Sequence, residues 1–229
     1  MEAQQWLLRQ FGFRLKDAEL LSQALSHRSV GRRNNERLEF LGDSVLGFVI
    51  SEELFRRFPD ADEGQLSRLR VALVSGKALA KVARERQVGE MLILGSGEIH
   101  GGGRQRDSIL ADTLEALFGA FCIDQGFEIC RQSIRRVFAK RLDALRLEQA
   151  RKDAKTRLQE YLQGRGESLP SYSVIEVSGE EHARTFVVQC DIVVASQGGA
   201  RHAKGQGASR RAAEQDAAGA LLTELQLND

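Results

Sequence analysis

Two sets of carboxylates stand out for the chemistry they allow. Glu36, Glu39 and Asp43 are spaced i, i+3 and i+7; at ~100° per residue they fall within about a 60° arc of one helix face. Leu38, Leu41, Val45 and Val49 take the opposite side. A solvated acidic face of an amphipathic helix accounts for this pattern, but not for Phe40, an aromatic ring on the acidic side. Asp112 and Glu115 are again i, i+3, and they open a segment that is apolar nearly all round, from Leu114 through Phe118 and Phe121 to Ile123. A helix of that composition is buried, and a buried ionised carboxylate needs a counter-charge because its desolvation is costly. No basic residue occurs between Asp112 and Ile123. The partner is therefore a cation from another helix or a bound metal.

If the two acidic segments meet, their mutual repulsion calls for a hard divalent cation. Oxygen-only ligands favour Mg²⁺ or Mn²⁺ over zinc. Mg²⁺ held by carboxylates and completed by water and phosphate oxygens is the usual apparatus for phosphodiester hydrolysis. The residues alone thus lead to a metal-dependent phosphodiesterase.

The elements that must position these groups fall into two regions. From Trp6 to about Leu147 apolar residues recur at helical spacing, as in Leu20-Leu21-Ala24-Leu25 and Leu66-Leu69-Leu73. Pro59 and the Asp60–Gly64 stretch separate two helices. Past the charged segment Arg146–Asp153 the pattern changes. A short helix over 154–163 ends at Gly164-Arg165-Gly166, and a strand follows over 172–177 with a turn at 179–182. In a second strand Phe186, Val188, Cys190 and Ile192 alternate. Gln197-Gly198-Gly199 turns into a third, shorter strand, and Ser209 caps a helix reaching about Gln226. The expected fold is an all-α domain (1–147), a linker (148–153) and a small α+β domain of order α-β-β-β-α (154–227).

Composition excludes several classes. Hydrophobic residues make up 42% and charged residues 28% of 229, as in ordinary globular proteins. The three scattered cysteines, Cys122, Cys130 and Cys190, include no C-x-x-C pair and fit a reducing compartment. The longest apolar run, Ala116–Ile123, is far short of the ~20 residues a membrane span needs. The N-terminus lacks the order of a signal peptide. A cytoplasmic location with no membrane partner is expected. Net charge is +1 overall, with residues 153–229 at −3, so totals do not advertise a polyanion partner. Yet Arg201, Lys204, Arg210 and Arg211 lie between Asp191 and Glu214 with no acid among them, and screening makes the local patch matter more than the sum.

The stretch Asn35-Glu36-Arg37-Leu38-Glu39-Phe40-Leu41-Gly42-Asp43-Ser44-Val45-Leu46 resembles the ribonuclease III signature. Ala111-Asp112-Thr113-Leu114-Glu115-Ala116 resembles the family's second acidic segment, and Leu25-Ser26-His27-Arg28-Ser29 its upstream helix motif. The resemblance extends over essentially the whole chain, including a C-terminal double-stranded-RNA-binding domain. It implies that Glu39, Asp112 and Glu115 bind Mg²⁺, with Mn²⁺ able to substitute and no small-molecule cofactor, and that Asp43 and Glu115 are catalytic. Glu36 and Glu63 match accessory acidic positions, though an acid opening a helix is often only a dipole partner. Phe40 would fit a socket on the second subunit of a homodimer, each site cutting one strand of duplex RNA. Products would carry 5′-phosphates, 3′-hydroxyls and short 3′ overhangs, from ribosomal, messenger and transfer RNA precursors.

Within 154–226 three features agree with duplex binding. Thr156, Gln159 and Glu160 form one stripe with Gln163, suited to 2′-hydroxyls in a shallow minor groove. His182 lies in the first hairpin turn. Arg210 and Arg211 occupy the first turn of the last helix, where the dipole disfavours cations unless an anion binds. Gly205-Gln206-Gly207-Ala208-Ser209 precedes them, leaving free backbone N–H groups, with Lys204 just upstream. The third cation that the family often has one turn on is replaced here by Glu214.

Other features carry less. Gly95-Ser96-Gly97-Glu98-Ile99-His100 starts like a dinucleotide loop, but has His100 at the third glycine and no preceding strand. Gly101-Gly102-Gly103-Arg104-Gln105-Arg106 reads as a flexible connection first and an RNA-contacting loop second, and His27 as a hydrogen-bonded core histidine. Two rival functions remain: a non-cleaving duplex-binding regulator, disfavoured by the intact acidic set, and a small-molecule phosphohydrolase, disfavoured by the appended RNA-binding module.

Overall fold

The computed structural model describes residues 2–147, 152–180, 184–194 and 199–227, which fall into two units, Met1–Ala150 and Arg151–Asp229. The first is helical apart from one parallel bridge between Ser26 and Ile93. Its helices are α1 (Glu2–Phe11), α2 (Ala18–Leu25), α3 (Glu36–Arg57), α4 (Glu63–Val74), α5 (Gly76–Glu85), α6 (Val88–Met91), α7 (Ser96–His100), α8 (Asp107–Gln125) and α9 (Phe127–Ala144). The breaks follow from local chemistry. Asp17 caps α2 by accepting from the Glu19 and Leu20 N–H groups. Asp62 and Gln65 form a capping box that starts α4, while α3 stops at Arg57, just before Pro59.

The helix read as apolar nearly all round, α8, is the axis of this unit, with α2, α3, α5 and α9 packed about it. Ile109, Leu114, Leu117, Phe118 and Phe121 are buried, and Phe118 joins an aromatic chain with Phe11 (6.1 Å) and Phe138 (6.4 Å). Each such side chain contributes roughly 1.5–3 kcal/mol through burial. The apolar run outlasts the buried segment, however: Cys122 is half-buried and Ile123 is 58% exposed. The last turn of α8 emerges from the core before the sequence turns polar.

The glycine-rich stretch 101–106 is not a free connection. Gly103–Gln105 forms a 3₁₀ turn, Arg104 donates to the Gly89 and Glu90 carbonyls, and Arg106 pairs with Glu98 at 2.8 Å. The Gly95–His100 segment is the short helix α7.

The second unit contains α10 (Ala154–Gln163), an antiparallel sheet in the order β1 (Ser171–Ser178), β2 (Thr185–Val194), β3 (Gly199–Gly207), and α11 (Arg210–Glu224). Both helices cover one face of the sheet, where Leu158, Leu162, Cys190, Ile192, Val194, Ala217 and Leu221 form the core. Alternation in β2 supplies that face: Val188, Cys190, Ile192 and Val194 are buried. Of the expected linker, residues 148–151 lie outside the described residues; Asp153 caps α10 by accepting from Thr156 N–H at 2.9 Å.

The third strand differs from expectation. At nine residues it is shorter than the ten of β2, but it runs to Gly207: Gly205-Gln206-Gly207, read as a loop with free N–H groups, belongs to it. Gly205 pairs with Val188 and Gly207 with Phe186, while the Gln206 N–H donates to Asp216 at 2.9 Å. The glycines are there for packing. A side chain at either would collide with the α11 backbone at Ala213.

Candidate active site

The carboxylates converge because α3 and α8 touch backbone to backbone. A Cβ on Gly42 would overlap the Glu115 carbonyl, and one on Gly119 would overlap the Leu38 carbonyl. Only glycine at both places allows that approach. It sets Glu39 and Asp43, which flank Gly42 by a turn or less, beside Glu115. Asn35, buried at the head of α3, fixes the register: its Nδ2 donates to Thr113 Oγ1 (3.4 Å) and its N–H to the Ser26 carbonyl (2.9 Å).

Glu39, Asp112 and Glu115 each bring a carboxylate oxygen to within 4.8 Å of the others. Among the described residues Glu115 has no ion pair. Burial pushes its carboxyl up to about 8, reinforced by the charges of Asp43, Asp112 and Glu39. Glu39 is raised as well, by burial first and then by Asp112 and Glu36. Asp112 is raised by burial, against the pull of His27 and Arg28. Of the two partners left open for the buried acids, a cation from another segment therefore acts on Asp112, and Arg28 acts on Glu39 as well, but none acts on Glu115. Three hard oxygen donors, no imidazole or thiolate in the group, and an excess of negative charge that Arg28 offsets only in part fit Mg²⁺ or Mn²⁺.

The other acidic positions separate. Asp43 is exposed and lies outside the closest triplet, acting on it through its charge. Glu36 opens α3, 3.7 Å from Arg28, and shares a cleft with Glu39 and Asp112. Glu63 is elsewhere. It accepts from Ser67 Oγ at 2.7 Å and lines an apolar groove with Phe48, Phe55 and Leu66. Phe40 is 78% exposed on the same helix as the exposed Phe48 and Phe55. Packing among the described residues does not cover it.

Sequence reasoning missed part of the cleft wall. Arg28, Arg106 and Ser108 line it, and the visible signal was a basic residue at each edge of the acidic segments. His27 is not in the core. It is half-buried at the cleft, with Nδ1 2.9 Å from Ser29 Oγ.

In the second unit Thr156 and Gln159 are exposed on α10 and share a cleft with Arg210 and Arg211. Glu160, in the same stripe, accepts from Lys152 at 2.6 Å. Ser209 accepts from Ala212 N–H and caps α11. Lys204 is exposed on β3, opposite Gln189, and does not line that cleft. His182 lies outside the described residues. Lys155 and Glu214, which reading by stripes did not select as contacts, also line the cleft.

Residues 17–142 match the family model described as Ribonuclease-III-like, and residues 154–225 match the double-stranded RNA binding motif. The chain is 52% identical over 225 residues to Ribonuclease 3 of Marinomonas sp. (strain MWYL1), covering 98% of this chain and 97% of that one. It is 54% identical over 219 residues to Ribonuclease 3 of Hahella chejuensis (strain KCTC 2396), covering 96% and 95%. The crystallised nuclease domain of ribonuclease III from Campylobacter jejuni superposes with a TM-score of 0.60 at 39% identity, over 64% of this chain and all of that one. A second structure of that domain, titled for flexibility in a region involved in dimer formation, gives 0.57 at 42% identity, over 59% and 95%.

Proposed function

The chain belongs to the ribonuclease III family, and from that premise we propose that it is a Mg²⁺-dependent homodimeric endonuclease that cuts both strands of duplex RNA. The observation that carries this is the triplet of Glu39, Asp112 and Glu115, converged within 4.8 Å and without a protein counter-charge on Glu115. These three would hold the metal, which when bound supplies a polarised phosphoryl oxygen and an activated water. Asp43 adds negative charge beside Glu115, and Arg28 and Arg106 stand where a phosphate backbone needs cations. Products carry 5′-phosphate and 3′-hydroxyl ends, and precursors of ribosomal and other RNAs in the cytoplasm are the substrate class.

The double-stranded-RNA-binding domain supplies the partner contact, with Thr156, Gln159, Arg210 and Arg211 toward the duplex. A double-stranded RNA binding motif engages a duplex mostly by shape and by contacts to phosphates and 2′-hydroxyls. Among the described residues no helix is long and apolar enough to cross a membrane. The test is incubation of the purified protein with long duplex RNA, single-stranded RNA and duplex DNA, each with Mg²⁺, Mn²⁺ or EDTA. Duplex RNA alone should be cut, to short fragments bearing 5′-phosphates, and only with a metal. Cleavage in EDTA, or of single strands at equal rate, would overturn the proposal.

A further inference from the structure

The cleft between α10 and the start of α11 has an anion built into its cationic wall. Glu214 is 9% exposed, and each of its carboxylate oxygens is taken by a different cation. Oε1 accepts from Arg210 Nε at 2.9 Å and Oε2 from Lys155 Nζ. Lys155 is further held over the Tyr172 ring, 4.2 Å from its centroid. The first helix is anchored at the same spot: Gln215 Oε1 accepts from the Lys155 N–H at 3.1 Å. Arg211, the third cation of the cleft, makes no ion pair within 4.0 Å among the described residues; its charge acts on Asp153 from farther away.

Three cations, Lys155, Arg210 and Arg211, therefore face a phosphate together with two carboxylates, Glu214 and Asp153. The formal charge there is +1, not +3. A phosphate approaching this wall meets Lys155 and Arg210 already hydrogen-bonded to a fixed carboxylate, and repulsion from that carboxylate acts over a few ångströms in a partly desolvated cleft. Counterion release counts only cations that neutralise phosphates, so two of the three count at a discount.

We infer that Glu214 is an internal counter-ion that holds down the duplex affinity of this domain by occupying Lys155 and Arg210, leaving Arg211 as its main phosphate contact. The inference rests on the reading of this cleft as a duplex contact. Its consequence is quick release of product by a module whose grip is set below what its basic residues allow.

The test uses the full chain in EDTA with two unrelated RNA duplexes of about 30 base pairs, longer than the ~16 that such a domain spans. Glu214→Gln keeps the shape and removes the charge. It should tighten binding to both duplexes by roughly three- to tenfold and steepen the salt dependence by up to ~2 contacts' worth. Lys155→Gln should weaken binding little in the wild-type chain and several-fold in the Glu214→Gln background, a non-additivity that a merely structural role of Glu214 does not produce. Circular dichroism of each variant reports whether the domain is folded. Should Glu214→Gln unfold, the single variants decide: Arg211→Gln must weaken binding several-fold more than Lys155→Gln. Equal losses from those two, or unchanged or weaker binding by a folded Glu214→Gln, overturn the inference. If Arg211→Gln has no effect, the cleft does not contact duplex RNA, and the underlying reading falls with the inference.

Discussion

Gly42 of α3 and Gly119 of α8 face each other so closely that a side chain on either would overlap the main chain of the opposite helix. That contact converts two separate acidic helix segments into one site. Glu39 and Asp43 lie three residues before and one after Gly42, and Glu115 lies one turn before Gly119. The geometry of the candidate site is thus set by two residues with no chemistry of their own.

Gly42→Ala should therefore harm both folding and function. Overpacking a close contact costs typically about 1–3 kcal/mol, and here the obstacle is backbone. Urea denaturation should show a loss of at least that size. Mg²⁺-dependent cleavage of duplex RNA should fall more steeply than stability alone explains, because the carboxylates are pushed apart. Gly47→Ala on the same helix, where a Cβ meets nothing within 4 Å, is the control and should be close to neutral in both measurements.

Glu115→Gln isolates charge from shape. With no cation paired to Glu115 among the described residues, the loss of its negative charge removes a metal ligand and leaves no stranded partner. Cleavage should drop by two or more orders of magnitude, as happens when a major electrostatic contributor is deleted, while binding to duplex RNA stays within about twofold. Near-wild-type cleavage in Mg²⁺ would remove Glu115 from the site.

The same residue gives a pH dependence with a definite sign. Its folded-state pKa, about 8, lies above the ordinary value of 4.5, so the folded chain holds a proton that the unfolded chain has released. The associated stability is complete below about pH 4.5 and is lost as pH rises toward 8. Glu39 and Asp112 are shifted in the same direction. Thermal melting in EDTA should thus fall between pH 5 and 8.5, and Mg²⁺ should restore it most at the alkaline end, where no proton must be displaced. Glu115→Gln should flatten the EDTA profile. A metal-free melting temperature that climbs across that range would contradict the assignment.

The acidic spacing and the apolar character of α8 made the triplet legible before any coordinates, because helical periodicity fixes which side chains share a face. The order α-β-β-β-α was equally open, from alternation in β2 and the cap at Ser209. What periodicity does not carry is distance between helices. It hid the Gly42–Gly119 contact, and it gave no sign that within one chain Glu63 lines a different groove from the other acids. Gly205 and Gly207 misled for a related reason: glycine signals turn chemistry and close packing with the same letter. Glu214 was legible only as a departure from a basic pattern, since its bonds to Lys155 and Arg210 depend on how two helices dock.

Phe40 supplies the last prediction. The ring is 78% exposed, next in sequence to Glu39 of the carboxylate triplet, and no packing among the described residues covers it. Phe55 on the same helix is 70% exposed, and the groove containing Phe48, Phe55 and Glu63 is mostly apolar. A protruding ring and an apolar groove on one surface are the two halves of a two-fold interface, in which each protomer offers both. Buried aromatic anchors often contribute 2 kcal/mol or more on truncation, and here one substitution removes two copies of the contact. Phe40→Ala should leave the helical circular dichroism signal unchanged, because the ring contributes nothing to the core. It should shift the dimer–monomer equilibrium in analytical ultracentrifugation by about 1,000-fold in dissociation constant, about 30-fold for each of the two copies. Cleavage of both strands of a duplex should decline in parallel, leaving a larger share of singly nicked product. Dimer dissociation and paired cleavage that both match the wild type would show that Phe40 is not an interface anchor, and unfolding of the helical unit would show that its exposure has been misread.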